Sequence, residues 1–369
     1  MQGACRTPAS TIAETSPRPT RRVAGAAVLE AFLPLLLIAA LAALAAGRFC
    51  VVLRPLLVRY AMARPSARSS HSVPTPQGGG IAVLAGAVLA LGVAVLFAGL
   101  PTDAGGGLVL VLAAAILLAI VGAWDDIRPL SPGLRLGLQA LCVGMVLFLA
   151  APEVRLFPEV LPLAVERGLA LLAGLWFVNL VNFMDGIDWI TVAGIVPLSA
   201  ALALAGALGV LDPATGWLAA ALCGGLLGFA PFNKPTARLF LGDVGSLPIG
   251  LLTAYLLYRL AGTGALTAAL LLPLYHVADS TITLFRRLAR HERVWEAHRS
   301  HFYQQATVNG FGVSEIVAQV ALLNLGLVAL AAVSLRFPDG WVQLACLLAG
   351  LVLTALLLRR FSKRRAGLG

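Results

Sequence analysis

The chain predicts an all-α, polytopic integral membrane fold, and three observations carry that prediction. Of its 369 residues 59% are hydrophobic and only 12% charged, with a mean hydropathy of +0.91, whereas a soluble domain carries about 25% charge. Apolar stretches long enough to cross ~30 Å of hydrocarbon as helices recur from end to end, separated by short polar loops. Lys and Arg fall unevenly between alternate loops, as membrane insertion requires.

About eleven spans follow, at roughly 29–51, 78–99, 107–124, 134–151, 167–182, 190–210, 215–230, 247–260, 265–284, 313–335 and 341–358. Residues 1–27 are rich in Pro, Ser, Thr and Arg without hydrophobic periodicity and read as a disordered tail. One membrane domain occupies 28–358, and 359–369 form a basic tail. The groups Arg54 to Arg68, Arg128 with Arg135, Lys234 with Arg238, Arg286 to Arg299 and the C-terminal tail all fall on one face, which is therefore cytosolic. Opposite loops hold little beyond Arg155, Arg167, Arg259 and Arg336; Arg18, Arg21 and Arg22 run against the scheme but are outnumbered. The formal net charge of +10 suits anionic lipid headgroups and an anionic substrate, with no call for nucleic acid. Five scattered cysteines include no Cys-x-x-Cys pair, so neither a disulfide framework nor a zinc site is indicated.

Carboxylates are costly in or beside a bilayer, so their gathering at cytosolic span ends in a chain with only 17 acidic residues is informative. Asp125-Asp126 leaves the third span; adjacent helical residues point about 100° apart, so the two need not share a ligand. Standing alone, such a pair is as compatible with plain solvation. The segment Asn179-x-x-Asn182-x-x-Asp185-x-x-Asp188 repeats polar groups every three residues, which on a helix makes one stripe, although Gly186 weakens its last turn. That stripe suits a metal-diphosphate or a nucleoside; equally, the asparagines can satisfy packed helices. Gly242-Asp243-x-Gly245-Ser246 joins a carboxylate to glycines that let backbone approach a ligand, and Asp243 is a candidate Mg²⁺ ligand.

The run His291 to His301 lacks the His-Glu-x-x-His of a zinc protease, since Trp295 follows His291 by four. It is a cationic loop in which His298, Arg299 and His301 can grip phosphate, while Arg286, Arg287 and Arg290 fit a bare positive-inside loop as well. Arg64 to Gly80, with Arg68, His71 and three glycines, offers backbone amides to an anion. Asp279, alone inside an apolar stretch, has no clear role beyond pairing with Arg286 or another helix.

The ordered set Pro76-x-Gly-Gly-Gly, Asp125-Asp126, Asn182-x-x-Asp185-Gly-x-Asp188, Gly242-Asp243-x-Gly-Ser and His298-x-x-His301 resembles the polyprenyl-phosphate N-acetylhexosamine-1-phosphate transferases over about residues 30–358. The resemblance implies transfer of a sugar-1-phosphate from a UDP-sugar to undecaprenyl phosphate, release of UMP, need for Mg²⁺ (Mn²⁺ as the alternative), a bacterial inner membrane with the active-site cleft facing the cytoplasm, and a homodimer. It makes Asp243, with Asp185, the metal ligand, and Asp125 and Asp126 the acids that engage or deprotonate the lipid phosphate. Asn182, Asp185 and Asp188 match the nucleotide-sugar stripe, Phe240 an aromatic that stacks on uracil, and Arg135 a phosphate-facing Lys. Relative to the muramoyl-pentapeptide branch, His71-Ser72 stands in place of a Lys, and His298-Arg-Ser-His301 in place of a triple His. Both departures favour UDP-N-acetylglucosamine or a 6-deoxy relative, such as an N-acetylfucosamine or N-acetylquinovosamine donor, in an O-antigen or other surface-polysaccharide pathway.

The chemistry agrees with the placement. Phosphoryl transfer needs positioning and charge neutralisation, and a lipid phosphate meets a soluble diphosphate only at a membrane boundary. A secondary transporter is the alternative class; it expects coupling carboxylates near the bilayer midplane, whereas the acids fall at cytosolic span ends and only Asp279 is well inside an apolar stretch, about two turns from the cytosolic end.

Overall fold

The computed structural model describes residues 21–63, 74–100, 105–294 and 298–365. It is a bundle of helices in chain order: α1 (Arg21–Tyr60), α2 (Gly79–Ala98), α3 (Gly105–Ile127), α4 (Pro132–Met145, continued by a π-turn at Val146–Ala150), α5 (Leu163–Phe183), α6 (Ile190–Ala207), α7 (Pro213–Phe229), α8 (Asp243–Gly262), α9 (Leu266–Leu271), α10 (Leu274–Ala289), α11 (Phe302–Val308), α12 (Val313–Arg336) and α13 (Gly340–Phe361). Two short strands, β1 (Met62–Ala63) and β2 (Thr75–Pro76), pair antiparallel between α1 and α2.

Among the described residues nine helices are long and apolar enough to cross a membrane, and α7 is a shorter apolar helix of 17 residues. Each of the eleven expected spans has a helix under it, and the protein is a multi-pass membrane protein. The ninth differs in form. Pro273 removes a backbone donor and splits it into α9 and α10. The N-terminal boundary moves as well, because α1 begins at Arg21 and makes 21–27 helical; residues 1–20 and 366–369 lie outside the described residues.

Helix starts obey local chemistry. Ser131 before Pro132 and Asp212 before Pro213 accept from Leu134 N and Thr215 N, and Asp339 accepts from Trp341 N. Outward residues such as Leu36, Phe97, Leu172 and Leu322 are exposed in a way only hydrocarbon tolerates. Of the nine membrane-length helices α8 is the best buried, with Leu247, Ile249, Leu252 and Leu256 sealed inside, so whatever stands at its first turn is rigidly held. Two close approaches fix that turn. A Cβ on Gly80 would meet Gly245 Cα at 2.0 Å, and one on Gly122 would meet the Asp243 carbonyl at 2.3 Å. Only glycine lets α2 and α3 lie this near α8.

Candidate active site

Four helices bring polar side chains to one end of the bundle: the exit of α3, the start of α4, the exit of α5 and the start of α8. Asp126 accepts from Asp243 N at 3.0 Å and Val244 N at 3.1 Å, one with each carboxylate oxygen. Those amides are orphan donors at the N-terminus of α8, so Asp126 caps α8 from a neighbouring helix. Gly242, at φ 76, makes the turn that aims them. Asp125 points elsewhere: Leu130 N donates to it at 2.6 Å and Arg135 Nη1 at 2.9 Å. The adjacent acids thus take different hydrogen-bond donors, and both border Asp243. The same Arg135 nitrogen lies 3.8 Å from Asp243 Oδ2.

Asn182 Nδ2 donates to Asp243 Oδ1 and Ser246 Oγ, both at 2.8 Å. Asp243 thus sits between an amide and a guanidinium, with Asp126 behind its backbone. Asp185 accepts from the Thr191 hydroxyl. Burial, together with Asp243, Asp126 and Asp188, pushes its carboxyl up to about 7 against an opposing push from Thr191. Among the described residues the neighbourhood therefore holds more negative charge than Arg135 offsets. No three His, Cys, Asp or Glu side chains converge as a ready-made metal cage among the described residues. A cation that takes one or two carboxylates and completes its shell with water and phosphate oxygens still fits this donor set.

The four-membered stripe needs correction. Helix α5 ends at Phe183, so only Asn179 and Asn182 share a helical face. Asn179 is a packing contact, donating to Gln139 Oε1 at 2.7 Å and Leu175 O at 2.8 Å. Asp185 and Asp188 occupy the following loop. Asp188 is buried and accepts from Ala237 N at 3.0 Å, tying that loop to the one before α8. Beside it Trp189 adopts a left-handed backbone, φ 63, held by Asn233 Oδ1 on its amide and Ala230 O on its indole. The half-buried Phe240 meets Pro76 to Gly79 through its backbone: it donates to Pro76 O and accepts from Gly78 N and Gly79 N. This ladder brings the Pro76-x-Gly-Gly-Gly motif against the α8 start. His71 lies outside the described residues.

Of the two partners open to Asp279, Arg286 or another helix, the structure shows the second. Fully buried, Asp279 accepts from Phe302 N at 3.0 Å and Tyr303 N at 3.2 Å, and its Oδ1 lies 3.1 Å from His301 Nδ1. It anchors the start of α11 and orients His301; the suggested partner Arg286 instead lies over the Phe302 ring. His298 stacks on His301 with centroids 4.9 Å apart, and the Tyr303 hydroxyl donates to Phe183 O, joining this loop to the end of α5. Arg299 gives its carbonyl to Gln305 Nε2. Arg287 is a scaffold, bonding Glu292, Arg293 O and Val294 O. Sequence reasoning passed over Ser246, Thr191 and Tyr303; only Ser246, inside a quoted motif, carried a signal.

Residues 108–261, which run from α3 to the end of α8, match the family model described as Glycosyl transferase family 4. Among curated relatives, a probable undecaprenyl-phosphate N-acetylglucosaminyl 1-phosphate transferase of Bacillus subtilis is 24% identical over 315 residues, covering 80% of this chain and 84% of the relative. A decaprenyl-phosphate N-acetylglucosaminephosphotransferase of Mycobacterium tuberculosis is 28% identical over 329 residues, with 79% and 80% covered. A phospho-N-acetylmuramoyl-pentapeptide-transferase of Symbiobacterium thermophilum is 34% identical over 209 residues, 51% of this chain and 61% of the relative. The chain is thus similar along most of its length to N-acetylglucosamine-1-phosphate transferases and over about half of it to a phospho-N-acetylmuramoyl-pentapeptide-transferase.

Proposed function

We propose that this protein transfers an N-acetylhexosamine-1-phosphate from a UDP-sugar to undecaprenyl or a related polyprenyl phosphate, releasing UMP, at the cytosolic face of a bacterial inner membrane. The observation that carries the reading is the convergence of Asp125, Asp126, Asn182 and Asp243 from three helices at one end of the bundle, with Arg135 from a fourth. N-acetylglucosamine, or a 6-deoxy relative, is the preferred sugar. The N-acetylglucosamine relatives match over 80% or more of their own length, the muramoyl-pentapeptide relative over 61%. The step is the start of a cell-envelope polysaccharide.

Asp243, with Asp185, would hold Mg²⁺ (Mn²⁺ suits the same oxygens), and when bound the ion would draw charge from the donor's phosphate oxygens. The protein supplies the rest by position. Asp126 fixes the α8 amides and hence the Asp243 backbone; Asn182 orients the Asp243 carboxylate; Arg135 adds positive charge where two phosphates must approach. His301, held by Asp279, and its stacked neighbour His298 offer donors to the diphosphate. A lipid phosphate oxygen forms the new bond to the sugar-linked phosphorus as the bond to the UMP oxygen breaks. Against the transporter alternative, the one acid well inside an apolar stretch, Asp279, is engaged by the α11 backbone.

The test is UMP release by purified protein in detergent with undecaprenyl phosphate, Mg²⁺ and a panel of UDP-N-acetylhexosamines. Release that requires both lipid and metal is expected, with UDP-N-acetylglucosamine or a 6-deoxy donor preferred. Folded protein that releases UMP from none of them overturns the reading.

A further inference from the structure

At the same end of the bundle as Asp243, but sharing no residue with the cluster around it, a polar cavity of about 260 Å³ opens between α10, α11 and the end of α13. Its walls include Arg286, Arg287, Arg290, Ser300 and Phe302, and no Asp or Glu among the described residues lines it. Thr283, Arg286, Arg287 and Arg290 fall at helical spacing on one side of α10, while Ile282, Phe285 and Leu288 are exposed on another, where lipid would lie. A cationic recess therefore adjoins a hydrocarbon-facing surface along one helix.

The three arginines are not equivalent. Arg287 is buried and spent on Glu292, Arg293 O and Val294 O. Arg290 is 70% exposed and only 3.9 Å from Glu292, which already serves Arg287. Arg286 forms no ion pair among the described residues; its guanidinium lies 4.5 Å from the centroid of the Phe302 ring. That contact holds the guanidinium flat and leaves its edge donors for a ligand. The cavity's other amides are committed inside the protein: Gln305 Nε2 donates to Arg299 O, and Asn309 Nδ2 to Phe361 O. One guanidinium without an ion pair among the described residues, Arg286, beside the exposed and loosely paired Arg290 matches a single tetrahedral dianion or diester, and the volume lies below the ~300–1,000 Å³ of sites for drug-sized ligands.

We propose that this recess is a second anion site that binds a phosphate group, carried by an anionic phospholipid or by a soluble phosphate. Basic pockets between membrane helices near a headgroup layer are suited to the former. Because Ser300 and Phe302 flank His301 in the chain, an occupant would brace the loop that carries His298 and His301.

Binding is read without any sugar donor, so it stands or falls separately from the transferase reading. The full chain in detergent is melted with added phosphatidylglycerol, with phosphatidylcholine at equal mole fraction, and with inorganic phosphate. Wild type is compared with R286Q/R290Q and with R336Q at the opposite end of the bundle. Phosphatidylglycerol should raise the melting temperature above phosphatidylcholine in wild type and R336Q but not in R286Q/R290Q. A shift with inorganic phosphate instead, lost in the same variant, assigns the site to a soluble ligand. No shift with either anion, an equal shift with phosphatidylcholine, or a shift that survives in R286Q/R290Q overturns the proposal. Should the double variant fail to fold, R286Q and R290Q singly should each weaken phosphatidylglycerol binding by about tenfold, read by native mass spectrometry; unchanged binding in both overturns it equally.

Discussion

The two polar ends of the bundle handle charge in opposite ways. At the end away from Asp243, Arg155 pairs with Glu166 at 2.8 Å, and Arg259 pairs with Glu153 at 2.8 Å and Asp212 at 3.0 Å. Buried Arg167 is wrapped by Leu147 O, Ala151 O, Pro152 O and the Tyr258 hydroxyl. At the other end, Asp125, Asp126, Asp185 and Asp243 gather with Arg135 as the guanidinium among them. The first end is closed and electrically settled. The second, among the described residues, leaves carboxylates short of cations and fixes them through backbone amides and an asparagine instead. Charge left uncompensated in a rigid frame is a hallmark of a binding site, whereas matched pairs hold structure together.

The sharpest way to break that contrast is to neutralise the acidic end. Asp243→Asn should cut UMP release by at least about 10³-fold, as loss of a transition-state electrostatic partner does. Its melting temperature without added Mg²⁺ should stay level or rise, since a like charge is removed; a clear fall would mean that Asp243 is structural after all. Asp126→Asn should cost about 10- to 100-fold in activity, because an amide offers a single acceptor oxygen to the two backbone donors that Asp126 serves. Here the α8 start loosens and stability falls with activity; a stable but dead protein would point to direct chemistry by Asp126.

The paired end should answer in reverse. Arg167→Gln leaves backbone carbonyls without their donor and should destabilise the fold by about 2–4 kcal/mol. Turnover per folded molecule should change less than about twofold, consistent with a residue remote from the chemistry. A large drop in turnover would link the two ends. The smallest effect expected is in pH dependence. Asp185 titrates at about 7 in the fold against 3.8 ordinarily, so the fold binds the extra proton between those values. Without a divalent cation its contribution is therefore greatest at low pH and is lost as pH rises toward and past about 7. Excess Mg²⁺ should flatten that decline, read as melting temperature at about pH 5 and about pH 8; a slope indifferent to Mg²⁺ would remove Asp185 from the cation site.

Much of this was legible in the sequence because membrane helices announce themselves by length and apolarity, and Lys and Arg report their loops. Asp125, Asp126, Asn182 and Asp243 could be set at one end by counting spans. What counting cannot provide is direction. Asp126 turning onto amides 117 positions away, and Asp279 onto an α11 turn more than twenty residues later, are tertiary pairings with no local period. The stripe failed for a local reason: the helix stops at Phe183 and the chain turns through Gly186, so three-residue spacing no longer means a shared face. The ninth span misled similarly, because its mean apolarity masks the break at Pro273 and the amphipathic helix after it.

Gly122 gives the acidic end a mechanical quality. With α3 and α8 so near that a single methyl would strike the carbonyl of Asp243, the height of that carboxylate above the bundle is set by hard contact between two backbones. A screw of this kind has fine thread. Lengthening one residue by a carbon atom would tilt the whole first turn of α8 without removing any polar group, so fidelity for one cation or one sugar can be tuned, or lost, at a position that touches neither.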